Sequence, residues 1–88
     1  MAQQSDFFCF LIRNQYSGGN IYWHGFSEKK AAQEFAAPFA DLDVKSSLHC
    51  GIVDLSEIQA RECRGPKGCV FDERQIKQLK EVGDEAPH

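Results

Sequence analysis

The chain has 88 residues, a formal charge of −3, 42% hydrophobic and 26% charged residues. That length allows one hydrophobic core and not two of ordinary size. The apolar and charged fractions exclude a disordered or collagen-like chain, and the acidic sign weighs against a general phosphate binder. Seven Phe, two Tyr and one Trp are a large supply of rings for so small a core. A single domain over residues 1–88 is expected, ordered over residues 6–83.

Residues 1–6 are polar and read as frayed. They lack the basic flank and small-residue cleavage pattern of a secretory signal, and the apolar run that follows is too short to cross a bilayer. The expected setting is therefore soluble, cytoplasmic and reducing, with no membrane partner. Residues 7–14 read as a strand. Their unbroken apolar run, Phe7 to Ile12, suggests a central strand covered on both faces. Gly18 and Gly19 can reach positive φ without a Cβ penalty, which predicts a hairpin into a second strand, Ile21–Phe26. There Ile21, Trp23 and Gly25 face one way and Tyr22, His24 and Phe26 the other.

Ser27 reads as the cap of a helix whose apolar stripe is Ala31, Ala32, Phe35, Ala36 and Phe39. Pro38 should stop it near Ala37 or kink it there. Residues 47–54 read as a third strand. Asp54 and Glu57 have capping-box spacing, predicting a short helix to about Arg64 with Leu55, Ile58 and Cys63 on its apolar stripe; propensity leaves 58–62 open between helix and strand. Residues 65–68 form a loop. Asp72 and Gln75 again have capping-box spacing, Phe71 and Ile76 have staple spacing, and Ile76, Leu79 and Val82 recur every three residues before Gly83. These features predict a C-terminal helix followed by a disordered tail over 84–88. The expected fold is α+β: a small antiparallel sheet of about three strands with two or three helices packed mainly on one face.

The residues that could carry chemistry do not form a motif. Zinc needs about four thiolate or imidazole ligands, usually in close pairs. His49, Cys50, Cys63 and Cys69 miss that spacing, and Cys9 reads as a core residue. The thiols are read as free, with a Cys63–Cys69 bridge and a zinc site as the alternatives. His24 and His49 have no local nucleophile or base partner, His88 belongs to the tail, and neither glycine pair matches a phosphate loop. No catalytic residue, metal or cofactor is expected.

Two surfaces remain. Tyr16, Tyr22, Trp23 and His24 combine apolar rings with polar handles suited to protein contacts, and Asp41 and Asp43 would steer a basic partner. Arg74, Lys77 and Lys80 make a basic stripe on the predicted last helix, with Arg61, Arg64 and Lys67 upstream; Glu57, Glu62, Glu73 and Glu81 interleave and offset it. The expectation is a protein-binding adaptor or inhibitor that acts by covering a surface. Nucleic-acid binding by the basic stripe and a structural homo-oligomer are the alternatives.

Overall fold

The computed structural model describes residues 4–82, with side chains from Asp6 onward. Its frame is one five-stranded antiparallel sheet: β1 (Gln4–Tyr16), β2 (Ile21–Phe26), β3 (Val44–Ser56), β4 (Cys69–Phe71) and β5 (Ile76–Glu81), in spatial order β4-β2-β1-β3-β5. Five strands replace the three expected. β1 and β3 have 13 residues each and pair along their whole length, from Gln4 opposite Ser56 to Tyr16 opposite Val44. Pairing with β3 thus carries β1 back to Gln4, into the stretch expected to fray. The expected tail, 84–88, and Gly83 lie outside the described residues.

The hairpin between β1 and β2 forms as its residues predict. Tyr16 N–H donates to the Asn20 carbonyl at 2.8 Å and Gly19 N–H to the Tyr16 carbonyl at 2.9 Å, with Gly19 at φ 91°.

The two helices lie on opposite faces, not mainly on one. The cause is the unbroken apolar run of β1, which gives both faces something to bury. On one face α1 (Lys29–Ala36) sets Ala32 and Ala36 over Ile12, Phe26 and Leu48, with Phe35 and Phe10 at the margin. On the other, α2 (Glu57–Cys63) sets Ala60 and Cys63 over Cys9, Leu11, Val53 and Leu55, beside Trp23 and Phe71. α1 ends before Pro38, which opens a 3-10 turn over Ala37–Asp41. Glu28, not Ser27, precedes its first turn: Ala32 N–H donates to the Glu28 carbonyl at 3.2 Å, while Ser27 N–H donates to the Cys63 carbonyl at 2.8 Å. The capping box of α2 is Ser56 with Gln59, not Asp54 with Glu57: Gln59 N–H donates to Ser56 Oγ at 3.2 Å and Ser56 N–H to Gln59 Oε1 at 3.0 Å. Leu55 therefore stays in the strand and is buried, while Ile58 points outward at 67% exposure.

The largest departure is the C-terminal segment, which is a single 3-10 turn, Glu73–Gln75, followed by edge strand β5 instead of a helix. The turn is held from outside itself. Asp72 N–H donates to Gln75 Oε1 at 2.9 Å, and Gln75 Nε2 donates to the Asp54 carbonyl at 2.8 Å and to Gln59 Oε1 at 2.9 Å. Ile76 then pairs with Val53 but Gln78 with Ile52, so Lys77 is an extra residue. A bulge of this kind lets residues three apart share one face of a strand. Ile76 and Leu79 both pack on the α2-side core, while Val82 packs on the other. The three-residue spacing that imitates a helix is a bulged strand.

Candidate functional site

Several candidate contact residues gather at the hairpin end of the sheet. Tyr16 and Tyr22 meet edge to face with ring centroids 5.5 Å apart. Tyr16 and Asp43 line one shallow depression with Gln15, Ser17 and Lys45, and Asp41 is exposed on the preceding 3-10 turn. Trp23 does not join them: it is 3% exposed, between His49 and Phe71 on the α2 face. His24 lies on the α1 face with its ring 4.6 Å from that of Phe35, and burial holds its pKa below the ordinary value.

The basic residues form no single surface. Arg61, Arg64 and Lys67 are on α2 and the loop after it, which leads to β4 at one edge of the sheet; Lys77 and Lys80 are on β5 at the opposite edge. Arg74 is on the 3-10 turn. No helix aligns Arg74, Lys77 and Lys80. The bulged Lys77 reaches across the sheet, its Nζ 2.6 Å from Asp6 Oδ1 and 3.9 Å from Asp54 Oδ2. The hydrogen bond to Asp6 raises its pKa.

The histidine and cysteine candidates also separate. His49 and Cys50 are successive residues of β3 and so point to opposite faces. His49 Nε2 lies 2.8 Å from Ser47 Oγ, and burial lowers its pKa, opposed by Glu81 and reinforced by Arg13. Cys63 and Cys69 converge with Cys9 under α2, the Cys63 and Cys69 sulfurs 2.6 Å apart. No group of three or more His, Cys, Asp or Glu among the described residues could hold a metal ion. The concavity of about 310 Å³ beside α1, lined by Ser27, Glu28, Lys30, Glu34 and Arg64, contains neither thiol nor imidazole.

One exposed apolar surface lies at the other end of the α1 face. β1 spans about 43 Å at 3.3 Å per residue, but the eight residues of α1 cover only about 12 Å at 1.5 Å per residue. The helix shields Ile12, Phe26 and Leu48 and does not reach Phe8, which is 60% exposed. Phe8 pairs with Ile52 and stands edge to face with Phe10, ring centroids 5.5 Å apart. Ile52 pairs in turn with Gln78 of β5. Phe8, Ile52, Gln78 and Lys80 line a shallow depression that runs to the sheet edge. Beyond it no strand among the described residues covers β5, whose outer backbone groups can accept an added strand.

Sequence reasoning passed over Phe8 and Ile52 because a continuous apolar run does not state which of its residues the helices will leave uncovered. The sequence signal was the mismatch between a long apolar strand and a short helix. No protein-family model, curated protein or solved structure matches the chain. No helix among the described residues is long and apolar enough to cross a membrane.

Proposed function

We propose that this protein is a protein-binding module that takes up an extended segment of a larger partner along β5 and acts by covering it, as an adaptor or inhibitor. The observation that carries this reading is Phe8, exposed on the sheet face in line with Ile52 of β3 and Gln78 of the open edge strand β5. Strand addition supplies affinity through main-chain hydrogen bonds and specificity through alternate side chains. A strand laid on β5 would turn every second side chain toward the Phe8–Ile52 depression, which suits apolar residues. Lys80 is exposed beside it, while Lys77 is paired with Asp6, so an acidic residue opposite Lys80 completes the partner's chemistry.

The test is affinity capture from the native cell lysate, with and without nuclease, at low and moderate salt, comparing the parent chain with Phe8→Ser and Tyr22→Ser. A stoichiometric protein that survives nuclease and salt, persists with Tyr22→Ser and is lost with Phe8→Ser supports the reading. Loss with Tyr22→Ser alone moves the interface to the hairpin end. Recovery of nucleic acid alone overturns protein binding, and a concentration-dependent doubling of mass without a partner makes the edge a self-association surface.

A further inference from the structure

Four cysteines are distributed unequally in this fold. Cys50 is half-buried on the α1 face, whereas Cys9, Cys63 and Cys69 are 1%, 3% and 4% exposed and meet in one place. They come from three elements: the central strand β1, the last residue of α2 and the first residue of β4. Gly25 of β2 forms the floor. A Cβ there would stand 3.2 Å from the Cys63 sulfur, 3.3 Å from the Phe71 ring and 3.5 Å from the Cys69 sulfur, so the absence of a side chain makes room for the thiols.

The arrangement does not suit a metal. Two thiolates on one tetrahedral zinc, each at about 2.3 Å, stand about 3.8 Å apart, and the Cys63 and Cys69 sulfurs are 2.6 Å apart. Nor are the three thiols equally free to move. Cys9 is in the middle of the sheet, opposite Gly51 of β3. Cys69 begins a three-residue edge strand, tethered to Cys63 by a turn in which Gly65 N–H donates to the Glu62 carbonyl and Gly68 N–H to the Gly65 carbonyl. Gly68, at φ 64°, packs against the Gly25 carbonyl and the Phe26 ring with no space for a Cβ. The tether therefore keeps Cys69 close to Cys63 even when β4 frays.

We infer that Cys63 and Cys69 are an oxidative modification site that closes to a disulfide when the protein meets a peroxide. The two sulfurs are within hydrogen-bond contact, and that contact lowers the pKa of Cys69 and raises that of Cys63, so Cys69 is taken as the first nucleophile. Its thiolate attacks one oxygen of hydrogen peroxide, the O–O bond breaks, and the departing hydroxide is protonated to water. The Cys63 sulfur gives up its proton and attacks the Cys69 sulfur; the S–O bond breaks and a second water leaves. Two thiols have then lost two electrons and two protons, and one peroxide has become two waters.

The experiment treats the full-length reduced protein with hydrogen peroxide, blocks free thiols in denaturant with iodoacetamide, and reads intact mass and peptide links. The expected product is monomeric, takes up two alkyl groups instead of four, yields a Cys63–Cys69 linked peptide, and returns to four on treatment with dithiothreitol. Cys50→Ser should form the same link, and Cys69→Ser should lose it. A link from Cys9 to Cys63, disulfides only between molecules, or full alkylation of Cys63 and Cys69 after treatment would overturn the assignment. Because the parent chain is mapped directly, misfolding of Cys69→Ser would not obscure the result.

Discussion

At the scale of single residues, Phe8 and the two described histidines make opposite demands on their surroundings. Phe8 is mostly in water, so Phe8→Ser should leave stability within about 0.5 kcal/mol of the parent, checked by urea denaturation, while abolishing capture of a partner at the β5 edge. His24 and His49 are both held below their ordinary pKa of 6.5, chiefly by burial. Burial disfavours the imidazolium, so the unfolded chain binds these protons at higher pH than the folded one does. Their neutral forms cost the fold nothing above 6.5; as pH falls below that value the unfolded state gains protons first and stability declines. The urea midpoint should therefore fall between about pH 7 and pH 5. His49→Gln, beside Ser47, Arg13 and Glu81, should flatten part of that slope. An unchanged slope in both His24→Gln and His49→Gln would assign the dependence to other groups.

At the scale of elements, legibility followed how local the determining contacts were. The hairpin at Gly19, strand Ile21–Phe26 and the stop of α1 before Pro38 depend on neighbours in sequence, and all were readable. In the C-terminal segment the capping box of Asp72 and Gln75 forms, but it caps a single 3-10 turn, and the three-residue apolar spacing after it belongs to a bulged strand fixed by distant contacts. Gln75 is bound to Asp54 and Gln59, and Lys77 is absorbed by the bulge. Nor could the sequence show that Cys9 would join Cys63 and Cys69, since that meeting requires β1, α2 and β4 to be assembled. Gly51 tests the placement of β5: a Cβ there would lie 1.9 Å from the Gln78 carbonyl oxygen. Gly51→Ala should cost about 1–3 kcal/mol or more and remove hydrogen-exchange protection from β5 before the rest of the sheet. Closing the Cys63–Cys69 link should act in the other direction, raising stability by about 2 kcal/mol through the short loop it constrains. Denaturation of oxidised and reduced protein side by side measures that difference.

At the scale of the whole molecule, the candidate surface exists because of a mismatch in dimensions. The longest extent is 41 Å, set by β1 and β3, and among the described residues each face has one short α-helix to cover it. The α2 face recruits Ile76 and Leu79 of β5 to extend its core, while the α1 face has no such addition at the Phe8 end. α1 starts just past Phe26, which pairs with Phe10, and leads toward Val44, which pairs with Tyr16, so its path runs away from Phe8.

The strand order also has a temporal meaning. Of the five strands β1 is made first and sits in the centre, β2 and β3 flank it, and both outer strands are the last two in sequence. A nascent chain halted before Cys69 would have β1, β2 and β3 in place and two bare borders, along β2 and along β3, each a template for another chain. The stretch from β4 to β5 pairs with both borders in one pass and leaves the short β4 and the bulged β5 as the outer strands.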